Sequence, residues 1–197
     1  MTNNLKRKKN KRESILTAAT VEFTRNGYKK TSIAGIAKEA HASQVTLYKY
    51  FPSKIVLARA VVVKLIVDGY QQYDEALDNS QKSFVEKMHD MMHNSVSLAS
   101  NINDDFVVFM YDEFSGKNGD GSVMKTYNEY KDRFWKKLLD QGRHEGVVSP
   151  EVSDEGALLF LDMLITYAMH ANPYNSLEVK HHEDDIIRLF FYGIMGR

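Results

Sequence analysis

Helical spacing of apolar residues runs through almost the whole chain, and only Pro52, Pro150 and Pro173 interrupt it. Proline ends or kinks helices, so a chain this poor in it can carry long ones. Glu13 to Arg25 puts Ile15, Ala18, Ala19, Val21 and Phe23 mostly on one face, and Gly27 then terminates the helix. Thr31 and Ser32 open a second, short helix whose Ile33, Ile36, Ala37 and Ala40 recur at helical spacing. Ser43 caps a third helix, and Ser53, just after Pro52, caps a fourth that runs to about Leu77. The fourth is rich in β-branched residues (Ile55, Val56, Val61, Val62, Val63, Ile66, Val67), but it is too long for a strand. Further helices are expected at about 81–100, 103–115, 122–144, 153–171 and 181–195. Gly116 to Gly121 fits neither a phosphate-binding nor a calcium-binding loop and reads as a plain connection. The expected class is all-α, with about nine helices.

The 197 residues carry no net formal charge, yet the charge is unevenly placed. Residues 1–54 hold twelve lysines and arginines against Glu13, Glu22 and Glu39, a formal +9, and the remainder is −9. That asymmetry divides the chain into a basic module for a polyanion, 1–54, and an acidic body, 55–197. The absence of cysteine excludes disulfides and thiolate metal sites. No apolar run is long enough to span a bilayer, and no apolar segment follows the basic start, so a cytoplasmic protein is expected.

Within the basic module, Thr46, Leu47, Tyr48, Lys49, Tyr50 and Phe51, with Ser53 and Lys54 behind them, crowd rings, a hydroxyl and cations into nine residues. They follow a short helix and a tight turn at His41 and Ala42. A short helix, a turn and a second short helix dense in hydrogen-bonding groups is the arrangement of a helix-turn-helix that enters the DNA major groove.

Ile15-Leu16, Ala18-Ala19, Phe23, Gly27-Tyr28, Thr31-Ser32-Ile33, Ile36-Ala37, Ala40, Ser43, Thr46-Leu47-Tyr48, Tyr50-Phe51 and Ser53-Lys54-Ile55 together resemble the N-terminal signature of the TetR/AcrR family of bacterial transcriptional regulators. The resemblance covers about residues 12–57. It implies a three-helix DNA-binding head followed by a helical ligand-binding and dimerisation domain. Two departures stand out. His41 occupies a turn position where the family usually has glycine, with Ala42 in place of valine, and Val45 stands where glycine or proline is frequent. Histidine tolerates positive φ better than most residues, so the turn is expected to survive at some cost in stability.

The residues themselves define the contacts. Gln44 can read adenine with its amide, and the Val45 methyls can meet a thymine methyl. Thr46 can bond a base edge or a phosphate, Tyr48 and Tyr50 can donate to phosphates, and Lys49 adds charge. Ser43 caps this helix. Thr31 and Ser32 lie where free helix N–H groups can meet a phosphate. Lys54 stands in the first turn of a helix, where it opposes the macrodipole, and a shared phosphate would relieve that repulsion. Leu47 and Phe51 read as core. The basic run Lys6 to Arg12 is expected to be mobile in the free protein and to track the DNA backbone or minor groove.

The remainder concentrates aromatic and methionine side chains. Tyr127, Tyr130 and Phe134 form one helical stripe, and Phe106, Phe109 and Met110 another. With Tyr70 and Tyr167 they are the expected lining for an apolar or aromatic effector. Asp162 interrupts an apolar helix face and must be exposed, paired or waiting for a partner. His170 closes the same helix, where a cation complements the dipole. Asp162 and His170 are the polar candidates for effector contact. The resemblance implies that this helix and the last one, 183–195, pair with a second copy in a homodimer.

His89 and His93 stand at i, i+4 and can chelate from one helix face, but no third ligand is evident, so no metal and no cofactor are expected. The sequence holds no paired-carboxylate, nucleophile-elbow or metal motif of an enzyme. The reading is a homodimeric regulator, most simply a repressor released from a DNA operator by a small molecule. The alternatives are a DNA-binding or architectural protein without a ligand and, more remotely, a small helical enzyme.

Overall fold

The computed structural model describes residues 2–79, 81–88, 90–91, 102–169 and 182–195. Among these the secondary structure is entirely helical. The helices are α1 (Thr2–Lys30), α2 (Ile33–Glu39), α3 (Gln44–Tyr50), α4 (Lys54–Leu77), α5 (Asp104–Phe114), α6 (Ser122–His144), α7 (Asp154–Met169) and α8 (Glu183–Met195). Residues 84–88 and 90–91 are also helical. Among the described residues no helix is long and apolar enough to cross a membrane.

The chain forms two compact units. The first draws on residues 1–69 and 97–127, the second on 70–96 and 128–197. In the first unit α1 packs against α2, α3 and α5. Its core takes Ile15, Ala19 and Phe23 from α1, Ile36 and Ala37 from α2, Leu47 from α3, Leu57, Ala58, Val61 and Val62 from α4, and Phe106 from α5. Four rings stack through this core. Phe23 lies 5.4 Å from Phe106 and 6.0 Å from Tyr28, Phe106 lies 5.7 Å from Phe109, and Phe109 lies 4.5 Å from Tyr28. Offset aromatic pairs of this kind contribute about 0.5–1.5 kcal/mol each beyond the area they bury.

Gly27 breaks the helical path of α1, with φ 81° and ψ 171°. That conformation is open essentially to glycine alone. The chain leaves it as a last short turn, Tyr28 to Lys30, before Ser32 caps α2. Upstream, the basic run differs from expectation. It is helix from Thr2, continuous with the residues that carry Ile15 and Phe23. Leucine, lysine and arginine are good helix formers, and no glycine or proline occurs before Gly27, so the helix nucleated on the core continues outward.

The second unit has its own core of Leu77, Phe84, Met88, Met91, Phe134, Leu138, Leu139, Val148, Ala157, Phe190 and Ile194. Trp135 meets Phe190 edge-on at 5.3 Å, and Phe160 stacks on Phe190 at 5.9 Å. Arg143 joins α6 to the start of α7 through Asp154, at 2.6 Å.

Candidate nucleic-acid interface

Ser43 and Ser32 set the two helices of the reading head. Ser43 is extended, with φ −78° and ψ 154°, and its hydroxyl oxygen accepts the Thr46 N–H at 3.1 Å. Ser32 accepts the Gly35 N–H at 3.0 Å in the same manner. Each cap satisfies one of the free donors at a helix start, worth about 1 kcal/mol. The turn between the helices is held at the end of α2. The Ala42 N–H donates to the Ala37 carbonyl at 2.8 Å and the His41 N–H to the Lys38 carbonyl at 3.1 Å, the pattern of a left-handed helix cap. His41 sits at φ 48°, the one non-glycine residue at positive φ among those described. The histidine therefore occupies the left-handed position that the sequence demanded of it.

α3 divides cleanly between two environments. Leu47 is fully buried, and so is Phe51, which caps the helix C-terminus. Gln44, Val45, Tyr48 and Lys49 are exposed, while Thr46 and Tyr50 are half-buried. Val45 is 68% exposed, a high value for a branched apolar side chain with no role in the core. The helix thus turns amide, methyl, phenol and ammonium groups outward on a support that is anchored underneath. Ser43 lies within 2.9 Å of the Thr46 hydroxyl, so these two groups share a hydrogen bond at the head of the helix.

Thr31 points the other way. It is buried, and its hydroxyl donates to the Gly27 carbonyl at 2.7 Å, with the Glu22 carbonyl at 3.0 Å. This side chain ties the break in α1 to the start of α2, and the neighbouring Ser32 is the exposed hydroxyl there. Lys54 opens α4 as expected. Its ammonium donates to the Lys29 carbonyl at 3.3 Å and lies 4.7 Å above the Tyr28 ring. Burial pushes its pKa down, with nearby Asp105 opposing that shift. Burial also raises the pKa of the Tyr28 phenol, and the Glu113 charge adds to the rise.

Residues 15–61 match the family described as bacterial regulatory proteins, tetR family. Over these residues the chain carries a TetR-type head. Two regulators of Bacillus subtilis are similar to it in sequence. The HTH-type transcriptional regulator YhgD is 35% identical over 79 residues, 40% of this chain and 41% of that protein. The HTH-type regulator YvdT is 28% identical over 145 residues, 73% of this chain and 71% of that protein. The chain thus aligns with about two-fifths of the length of the first relative. Two solved structures share the fold. One is Thermus thermophilus FadR, a TetR-family repressor in complex with lauroyl-CoA, with TM-score 0.64, 21% identity and coverage of 93% of this chain and 94% of that one. The other is Bacillus subtilis FadR in complex with stearoyl-CoA, with TM-score 0.59, 18% identity and coverage of 92% and 98%. The matched segment is thus a DNA-binding helix-turn-helix of the transcription-regulator type, and α3 is its second short helix.

The residues singled out as effector candidates fall into two groups. Phe106 and Phe109 belong to the four-ring stack of the first unit, Met110 beside them is half-buried, and Tyr127 meets Phe114 edge-on at 5.4 Å. In the second unit Tyr70 lies 6.2 Å from Tyr130 and 5.8 Å from Phe134. Asp162 is paired: the buried Lys131 ammonium donates to it, with Asp132 at 3.6 Å. His170, His89, His93 and the Tyr167 side chain lie outside the described residues.

No local pattern of residues signals the ion pairs that brace the first unit. Arg59 of α4 reaches the fully buried Glu113 of α5 through two bonds, at 2.5 and 3.2 Å, and Asp120 at 2.8 Å. Asn118 donates to Glu113 at 2.9 Å. The glycine-rich connection after α5 is therefore tied down by Asn118 and Asp120.

Proposed function

We propose that this chain is a homodimeric TetR-type repressor that holds a DNA operator and releases it when a small, largely apolar or aromatic molecule binds. The observation that carries the DNA-binding part is the two-sided character of α3. Leu47 and the adjoining Phe51 are buried, while Gln44, Val45, Tyr48 and Lys49 are presented outward. Gln44, Val45 and Thr46 read base edges, and Tyr48, Lys49, Tyr50 and Lys54 hold phosphates. Ser32 and Ser43 set the helix starts, and Thr31 braces the head from inside. Residues 1–54 do the reading, and 55–197 bind the effector and pair the two copies.

Pairing is supported by apolar side chains left in solvent on two helices of the second unit. Leu159, Phe160 and Met163 of α7 and Leu189 and Tyr192 of α8 are all exposed. A second copy covering them presents two heads to one face of the duplex, with recognition helices about 34–36 Å apart or a multiple of that. The effector class is suggested by Tyr70, Tyr130 and Phe134, a ring cluster that carries two phenolic hydroxyls, and by the acyl-CoA esters bound by the two FadR structural neighbours. Tyr127, Tyr167, Asp162, His170, Phe106, Phe109 and Met110 complete the candidate set. The effector acts by preferring the dimer whose heads no longer match the groove spacing.

The test is operator selection from random duplexes, followed by mobility shift with and without lauroyl-CoA. Selection of a two-fold symmetric site that the acyl-CoA releases is the expected result. No preference over random competitor at physiological ionic strength overturns the DNA reading. Stable retention of the operator across a library of lipophilic compounds overturns the effector reading alone.

A further inference from the structure

The most cationic part of the chain, which the sequence alone suggests is a mobile tail, lies upstream of the buried residues of the head. Lys6, Arg7, Lys8, Lys9, Lys11 and Arg12 place six positive charges in seven positions. Such runs are ordinarily solvated and without fixed structure, because like charges repel along them. In this chain the run is helix, continuous with α1. At 100° per residue, Lys8 and Arg12 fall on the stripe of Ile15 and Ala19, so the face that is buried inside the head turns cationic where it leaves the head.

The base of the extension is also held against the head. Lys11 donates to the His41 carbonyl at 3.2 Å, and Ser14 to the Ala40 carbonyl at 3.3 Å, both at the turn just before α3. The Arg12 guanidinium lies 4.9 Å over the ring of Phe51, the residue that ends α3. The base of the extension thus touches the chain on both sides of α3. Lys6, Arg7, Asn10, Lys11 and Ser14 line an open hollow of about 450 Å³, and no carboxylate lines it.

We propose that this helical extension is a second DNA-binding element, whose cations hold backbone phosphates flanking the bases read by α3. The proposal rests on α3 reading duplex DNA and adds a separate surface to it. Three cations, an amide and a hydroxyl around one hollow suit a multi-oxygen anion, and a phosphate there releases counterions as any backbone contact does. A helix already held against the turn contributes these contacts with less ordering cost than a loose tail. An anionic membrane is the other polyanion such a helix can meet. It demands a broad stripe of large apolar side chains opposite the charges, and residues 5–12 supply only Leu5.

Two variants of the full-length protein test this against the selected operator between 50 and 200 mM salt. The first is Lys6→Ala/Arg7→Ala/Lys8→Ala/Lys9→Ala, which spares Lys11 and Arg12 and keeps helix-forming residues. Its plot of log affinity against log salt is expected to be less steep by about 1.8 or more, one phosphate for each copy of the dimer at about 0.9 each. Its affinity for operator and for random duplex falls in the same proportion, because phosphates carry no sequence. The second, Asn10→Pro, keeps every charge but breaks the helix, and is expected to flatten the slope as well. A wild-type slope in the quadruple variant overturns the proposal, as does wild-type affinity and slope in Asn10→Pro. So does charge-dependent binding to phosphatidylserine vesicles with an unaltered slope on DNA. Failure of the underlying DNA reading looks different, since the unsubstituted protein itself would then fail to prefer any duplex.

Discussion

The Asp105 carboxylate accepts the backbone N–H of Lys29 at 2.7 Å, across 76 residues of chain. The contact closes a joint at the break in α1. Asn103 donates its backbone N–H to the Thr24 carbonyl at 2.8 Å and its side-chain amide to the Arg25 carbonyl at 3.3 Å. Gly27 ends the α1 ladder and strands these carbonyls, and the residues that begin α5 supply the missing donors. The head and α5 are thus joined by hydrogen bonds that exist only because a glycine breaks the helix at this point.

Gly27→Ala is expected to destabilise the protein through two additive effects. A methyl group there would stand 2.6 Å from the Asn103 amide oxygen and 2.9 Å from the Asp105 side chain, at a φ of +81°. The backbone conformation alone costs about 1–3 kcal/mol for a residue with a Cβ. The close approach displaces the Asn103 and Asp105 side chains and weakens the joint as well. Urea unfolding followed by circular dichroism measures the loss, and a variant as stable as wild type would mean that the joint is not made.

Asp105 also gives the joint a pH dependence. Its pKa is held below the ordinary 3.8, first by the Lys29 N–H and then by the Lys29 side chain. A carboxyl with a lowered folded pKa binds a proton less readily folded than unfolded, so it stabilises the fold when ionised. That contribution is complete well above 3.8 and disappears as pH falls through the lowered value. The stability difference between wild type and Asp105→Asn should be constant near neutrality and close below that range. A difference independent of pH down to acid unfolding would remove Asp105 from the joint.

Glu113 is expected to be the most sensitive charged residue of the first unit. It is fully buried and shares Arg59 with Asp120. Hydrogen bonding to Glu113 is the main reason that the Arg59 pKa is raised. Removing one partner of a buried pair strands the other, at about 3–5 kcal/mol. Glu113→Ala should lose less than that, because Asp120 still pairs with Arg59, and Glu113→Gln, which keeps an acceptor, should lose less again. Replacing both partners, as Arg59→Met/Glu113→Leu, should recover part of the stability in the same unfolding measurement. A double variant no better than Glu113→Ala would show that the pair is more than mutual compensation.

The head was legible in sequence because its signals are local. Gly27, Ser32 and Ser43 act on neighbouring backbone groups, and the bounds of α2, α3 and α6 follow from such signals and from helical spacing. The outward face of α3 was legible too, since Leu47 and Phe51 stand apart from Gln44, Tyr48 and Lys49 in polarity. Partnerships across the chain were not. Periodicity shows that Phe106 and Phe109 are buried, but not that they stack on Phe23 and Tyr28. It leaves Asp162 to be exposed, paired or waiting for a partner, and does not point to Lys131. The basic run misled for a related reason. Its charges argue against helix, and the stabilised helix to which it is attached overrides them.

In the proposed complex, Gln44 and Lys54 separate the two kinds of DNA contact. Gln44 is exposed on the first residue of α3, free to meet a base edge with both amide atoms. Lys54 is held on the Lys29 carbonyl, and in the proposed complex it meets the DNA backbone. Gln44→Ala should cost about 1–3 kcal/mol against the selected operator and relax the preference at a single base position in each half-site. Lys54→Ala should weaken every duplex to a similar degree and make the salt dependence shallower by about 1 for each head engaged. Fluorescence anisotropy against operators substituted one base pair at a time, repeated at two salt concentrations, distinguishes these outcomes. If Gln44→Ala lost affinity uniformly and Lys54→Ala changed base preference, the roles drawn from the geometry of α3 and α4 would be reversed.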